Sequence, residues 1–197
     1  MSLLVFDVET NGLPKNMHLP AKYTKNWPRI VQISWIIYDL QGSELERQDY
    51  IIKPDGFVIN EKSIEIHKVT NEIAHKVGYK MIDILHKMNE SIKNANYIVC
   101  HNFDFDFKVL GAEFIRHNMK LGARHIKDYI CTMKSTTNYC KLENSYRKDY
   151  KWPRLEELYK ILFNEEMENA HNALYDVIAC GRCLFECIKR GIIKMKK

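Results

Sequence analysis

The chain lacks any apolar run long enough to cross a bilayer. Its longest uncharged apolar run, residues 30–38, falls far short of the ~20 residues that a spanning helix needs. The apolar N-terminal run is broken by Asp7 and Glu9, which excludes a signal peptide. No linker, internal repeat or low-complexity stretch divides the 197 residues, and that length predicts one compact domain over 1–197 with an ample core. A soluble intracellular, cytoplasmic protein is expected. No CxxC pair recurs with a second pair at zinc spacing, although there are six cysteines. Cys180, Cys183 and Cys187 fall at i, i+3 and i+7 of one helix and read as small buried hydrophobes, so neither zinc nor a disulfide is expected. The net charge of +5 is compatible with a nucleic-acid substrate without proving one.

What is present is a set of acids in three distant segments. Asp7 and Glu9 lie in LLVFDVETNGLP, Asp106 in VCHNFDFDF, and Asp176 with His171 in NAHNALYDV. Carboxylates that converge from separate elements repel one another unless cations sit between them. Two hard, oxygen-seeking ions, Mg²⁺ or Mn²⁺, are what such a cluster requires, and in-line displacement at a phosphodiester is the reaction that most often uses it.

Residues 2–9 read as a buried strand, and alternation along it points Asp7 and Glu9 the same way. The alternative for a lone DxE is a strand end whose acids face water. Residues 97–100 read as a second strand, broken by His101-Asn102 and followed by a helix over 104–119. Asp106 then falls in the first helical turn, where unpaired N–H groups favour an anion. Asp104 is left as a helix cap, and Asp106 is taken as a metal ligand. The last strong helix runs over 172–190 with Leu174, Val177, Ile178, Phe185 and Ile188 as its apolar stripe and Gly181 allowing close approach. Asp176 sits beside that stripe. His171 is five residues earlier, about 140° around an ideal helix, so both face one site only if His171 precedes the helix or frays from it. The alternative for such a histidine is a cap or a surface residue.

Taken together, DVETNGLP, HNFDFD and HNALYD resemble the three motifs of the DnaQ-like 3′–5′ exonucleases of the DEDDh branch. All five defining positions are matched in order over residues 7–176. The resemblance implies that Asp7, Glu9, Asp106 and Asp176 hold two Mg²⁺ (or Mn²⁺) ions and that His171 is the general base. It places Thr10 and Leu13 at the terminal nucleotide and Asn102 near the substrate. IEIHKVT resembles the family segment that lines the base pocket, with Lys68 where glycine is usual, which bears on His67 and Lys68. It also implies an α/β, ribonuclease H-like fold, a central mixed β-sheet flanked by α-helices.

Around the motifs, strands are predicted near 2–9, 30–39 and 48–53, the last two as a hairpin through Leu40-Gln41-Gly42. Helices are predicted near 61–66, 71–75, 80–94, 131–139 and 154–163. The last is opened by Pro153, with Leu155, Leu158, Tyr159 and Leu162 inward. Two basic aromatic stretches, 15–29 and 146–154, either flank the active site and hold a strand by charge and stacking or are solvated loops with an anchored tryptophan.

The expected activity is release of nucleoside 5′-monophosphates from DNA 3′ ends, single strands preferred, in proofreading or repair. An RNA-trimming enzyme resembling ribonuclease T or oligoribonuclease is the alternative, and a non-catalytic nucleic-acid-binding module the third reading. Nothing resembles a clamp- or polymerase-binding extension, so a DNA polymerase partner has no support from the sequence. Oligomeric state is left open.

Overall fold

The computed structural model describes residues 1–145 and 149–195. Tyr146, Arg147 and Lys148 of the second basic stretch lie outside the described residues. Five strands form one mixed sheet: β1 (Ser2–Thr10), β2 (Ile30–Asp39), β3 (Glu44–Ile51), β4 (Tyr97–Cys100) and β5 (Asp128–Cys131). Their order is β3-β2-β1-β4-β5. β2 runs antiparallel to both β1 and β3, while β4 pairs parallel with both β1 and β5. The helices are α1 (Glu61–His67), α2 (Asn71–Val77), α3 (Met81–Lys93), α4 (Phe103–Arg116), α5 (Thr132–Cys140), α6 (Leu155–Phe163) and α7 (Ala173–Lys189).

β1 is central, so both of its faces are covered and its apolar run is continuous rather than alternating. Leu4, Phe6 and Val8 join a core with Ile84, Leu85 and Met88 of α3 and Val109, Leu110 and Phe114 of α4. Leu3 and Val5 face the other way, into a core with Leu155, Leu158 and Leu162 of α6 and Val177, Cys180 and Cys183 of α7. Asp7 and Glu9 continue the Leu3–Val5 row beyond the end of that core. The sheet thus gives one face of its central strand to packing for most of its length and to chemistry at its C-terminal end.

Most element boundaries fall within a few residues of those read from the sequence. The hairpin from β2 to β3 turns through 40–43, but β3 starts at Glu44, earlier than expected. β5 was missed, and so was a short 3-10 turn at Thr24–Asn26. The buried face of α7 differs from the predicted stripe. Val177 is buried, but Leu174, Ile178, Phe185 and Ile188 only flank the core, which Ala173, Ala179, Cys180, Cys183, Leu184 and Cys187 fill. Small residues are needed because α7 lies close on the sheet. A Cβ on Gly181 would meet the Tyr38 ring at 3.0 Å. All six cysteines are free thiols, four of them buried. Among the described residues no helix is long and apolar enough to cross a membrane.

Candidate active site

The C-terminal ends of β1 and β4 lie at one edge of the sheet because the two strands are parallel. Open α/β sheets bind their ligands at that edge. β1 brings Asp7 and Glu9, the turn after β4 brings Asn102, and the first turn of α4 brings Asp106. α7 and the residue pair before it bring Asp176 and His171. Asp7, Glu9, Asn102, Asp106, His171 and Asp176 all line one open cleft of about 760 Å³.

Asp7, Glu9 and Asp176 each offer a carboxylate oxygen within 4.8 Å of the others. Asp106 lies beside them, 3 % exposed, and accepts from the Val8 N–H and its own. Burial holds the Asp7 carboxyl well above the usual carboxylate range, and the charges of Asp106, Asp176 and Glu9 push it further. Burial likewise raises Glu9 to about 7. Asp176 is raised to about 7, first by burial and then by Glu9, against the pull of the His171 N–H. Asp106 is also driven up by burial, more than its two backbone hydrogen bonds lower it. Every side-chain charge that acts on this group is another acid. The donor set is all oxygen, concentrated and short of positive charge, and it fits divalent cations.

His171 resolves the five-residue spacing. It precedes α7 in a left-handed backbone conformation (φ 67°). Its N–H donates to Asp176 Oδ2 at 3.1 Å, so the backbone is tied to the very acid whose site the ring lines. The residue is exposed and its imidazole has no hydrogen-bond partner among the described residues. Asn172 caps α7, its side chain accepting from the Leu174 N–H. Sequence reasoning missed a second anchor: Gln32, opposite Glu9 on β2, accepts from the Ala173 N–H at 3.4 Å and donates to Asp49.

The residues assigned to the terminal nucleotide are spread more widely. Leu13 is 84 % exposed and lines both the carboxylate cleft and an adjacent apolar depression with Val58, Asn60 and Ile66. Thr10 is buried, its hydroxyl donating to Gly12 O at 2.7 Å, so it shapes the turn at the cleft lip. His67 is 4 % exposed, accepts from the Val69 N–H and sits against the Thr10 backbone. Its ring is beneath the surface rather than on the cleft wall. Lys68 ends α1 at φ 62°, a conformation that favours glycine, which is the physical reason for glycine at this position in the family it resembles. Asp104 pairs with Lys134 and stays outside the cluster.

The model of the RNase T exonuclease family matches residues 4–184. The chain belongs to this family, the DnaQ-like 3′–5′ exonucleases. Among curated proteins, this exonuclease is similar to PolC-type DNA polymerase III of Pediococcus pentosaceus, 27 % identical over 94 % of the chain and 11 % of the relative. The corresponding enzyme of Streptococcus thermophilus is 29 % identical, also over 94 % and 11 %. The chain therefore spans about a tenth of the length of these relatives. Among solved structures, the zinc-bound E. coli exonuclease I–single-stranded DNA complex superposes with a TM-score of 0.76 at 22 % identity. That match covers 96 % of this chain and 40 % of that one. Exonuclease I of Methylocaldum szegediense gives 0.73 at 20 %, over 96 % and 40 %. The fold is the ribonuclease H-like exonuclease fold, and the chain is a nuclease.

Proposed function

We propose that this exonuclease degrades DNA from the 3′ end, prefers single strands, and acts in proofreading or repair. The observation that carries the reading is the half-buried cluster of Asp7, Glu9 and Asp176 beside the buried Asp106 in an open cleft, with the free imidazole of His171 at its lip. In this reading the four carboxylates hold two Mg²⁺ or Mn²⁺ ions. Bound there, such ions would supply charge neutralisation at the phosphate and would lower the pKa of the attacking water. His171 takes the proton of that water, as its exposed, unpaired ring allows. The water oxygen bonds to phosphorus as the P–O3′ bond breaks, the 3′ oxygen stays on the shortened strand and takes a proton from solvent, and a nucleoside 5′-monophosphate leaves. The His171 N–H to Asp176 bond keeps base and ligand at a fixed relation during this step.

Leu13 stands where an unpaired end enters, with Thr10 shaping the turn, His67 packed beneath it and Asn102 on the wall. A single strand enters such a cleft without being frayed first, a step that costs up to a few kcal/mol in lost stacking. Support for DNA over RNA comes from the relatives: PolC enzymes are named as DNA polymerases, and E. coli exonuclease I is seen in complex with single-stranded DNA and with a dT13 oligonucleotide. The PolC relatives also make an association with a DNA polymerase part of this reading.

The test uses one sequence as DNA and as RNA, single- and double-stranded, labelled at either end, with Mg²⁺. Mononucleotides should leave the 3′ end of single-stranded DNA fastest. Release from the 5′ end would defeat the polarity. RNA cut ten times faster than DNA would move the chain to RNA trimming and leave the chemistry intact.

A further inference from the structure

Trp152 lines the same cleft as the carboxylates and is 60 % exposed. The chain has three tryptophans, and the other two, Trp27 and Trp35, are 3 % and 0 % exposed. An indole left open on the wall of a functional cleft loses burial energy that the rest of the molecule takes care to gain.

The segment that carries it is pinned. Pro153, the next residue, is buried, and its carbonyl lies 3.0 Å from His101 Nε2. A carbonyl only accepts, so Nε2 carries the proton. Nδ1, 2.9 Å from Thr132 Oγ1, then accepts from that hydroxyl. Burial pushes His101 down to about 4, so this neutral tautomer persists at neutral pH. The Thr132 hydroxyl also touches Cys180 Sγ of α7 at 3.7 Å. Trp152 therefore projects from a backbone fastened to the end of β4, to α5 and to α7, the elements that frame the acids. Lys134 Nζ lies 5.7 Å from the indole centroid and is itself paired with Asp104.

We propose that Trp152 is a stacking platform for a base of the single strand upstream of the scissile nucleotide. The inference rests on the exonuclease reading and deepens it by naming a second contact on the strand. The terminal base belongs to the Leu13 side, where the cleft opens into the apolar depression, and Trp152 does not line that depression. A flat, rigid aromatic surface suits any base, because every base has a π-face, so this contact adds affinity without sequence preference. Charge contributes less than stacking here. Lys134 and Arg154 are already engaged, with Asp104 in one case and with Glu156 and Glu157 in the other.

Fluorescence tests this directly, since Trp152 is the one exposed indole. In an Asp7→Asn background, which cannot degrade the probe, a twelve-residue oligothymidylate should quench tryptophan emission. Trp152→Phe should remove that quench while retaining binding by anisotropy of a labelled probe. Kinetically, Trp152→Ala should raise KM for the same oligonucleotide about tenfold, with kcat within about twofold, and Trp152→Phe should recover most of the loss. The p-nitrophenyl ester of thymidine 5′-phosphate has no upstream base, so Trp152→Ala should lower the ratio of oligonucleotide to ester efficiency. Equal losses on both substrates, or a quench that survives Trp152→Phe, would overturn the platform. If the unsubstituted protein hydrolysed neither substrate, the exonuclease reading itself would fall, and the quench would still decide whether Trp152 meets the strand.

Discussion

The molecule draws carboxylates inward in two places, fully at Glu113 and partly at the cleft, and treats them in opposite ways. Glu113, on α4, has no exposed surface, and its Oε1 receives Arg29 Nε at 2.8 Å and Arg116 Nη1 at 2.7 Å, with the Ile30 N–H at 3.4 Å. The four acids at the end of β1 include Asp106, seven residues before Glu113 on the same helix. Among the described residues no lysine or arginine pairs with any of the four, and the side-chain charges that act on them are those of other acids. One group brings its cations in the sequence. The other is held together by backbone packing and leaves its repulsion unrelieved, to be met by protons or by ions from solution. The first ties loop 15–29 to α4; the second is the candidate site.

The comparison is broken most severely at the site itself. Asp7→Asn or Asp106→Asn should reduce hydrolysis to background, because each removes charge from a cation site whose whole attraction is that charge. The fold should survive, since an amide in place of a raised carboxyl removes repulsion. Mononucleotide release from a labelled single strand measures the first expectation and thermal unfolding the second. Near-normal turnover of Asp7→Asn, or turnover that persists in excess EDTA, would sink the two-cation reading.

Glu113→Gln sharpens the same contrast from the other side. It leaves two guanidinium groups facing a neutral amide, and removing one partner of a buried pair costs roughly 3–5 kcal/mol. Arg29 and Arg116 keep about a fifth of their side-chain surface in water, 22 % and 17 %, so the lower end applies, about 3 kcal/mol. Divalent cations should not restore that loss, whereas they should stabilise the intact four-acid site. Unfolding midpoints with and without Mg²⁺ check both statements. A Glu113→Gln protein as stable as its parent would remove Glu113 from the scaffold.

Why one cluster was legible in the sequence and the other was not has a physical reason. Strand alternation puts Asp7 and Glu9 on one face from their spacing alone, and the first turn of a helix after β4 places Asp106 without long-range information. Glu113 sits on the apolar stripe of α4 with Arg116 three residues on, a local signal of a paired buried charge, but its other guanidinium partner, Arg29, is 84 residues away, where no periodicity reaches. The tripeptide Trp-Pro-Arg occurs twice and makes the same point. In loop 15–29, Trp27 is buried with its Nε1 donating to Pro20 O, and Arg29 turns inward to Glu113. At 152–154, Trp152 stands open on the cleft and the Arg154 side chain is 70 % exposed. Identical local sequence takes the environment that its distant partner offers. β5 escaped notice because four residues, DYIC, alternate too briefly to register. Bulk is a poor sign of burial on α7, where close packing on Tyr38 calls for Cys, Ala and Gly in place of the predicted stripe.

His171→Ala should slow turnover by about 10²-fold, the usual scale for losing a general base, with little effect on single-strand binding. The backbone N–H that holds Asp176 is unchanged by the substitution, so the metal-ligand geometry is retained. Rapid-mixing measurement of a single turnover separates this from slow product release. Unaltered single-turnover rates would make His171 a capping residue and leave the general base unassigned.

The smallest effect concerns pH and separates the two clusters without any mutation. Glu9 and Asp176 have folded-state pKa values of about 7, against ordinary values of 4.5 and 3.8. A folded state that holds protons more tightly than the unfolded chain is stabilised below the unfolded pKa and loses that stability as pH rises through the folded one. Metal-free protein should therefore weaken between about pH 5 and 8. His101 opposes this at the acid end: burial lowers it to about 4, so its contribution grows as pH rises towards 6.5 and is flat above. The clean window is pH 6.5 to 8, where each of the two carboxylates should contribute a loss on the order of 1 kcal/mol. For a chain of this size that is a fall in Tm of roughly 2–4 °C per kcal/mol. Saturating Mg²⁺ or Mn²⁺ should abolish the slope, because cations replace the protons. A flat profile in EDTA across that window would mean that the four acids already have cationic partners within the fold, as Glu113 has in Arg29 and Arg116, and that the distinction between the two clusters does not hold.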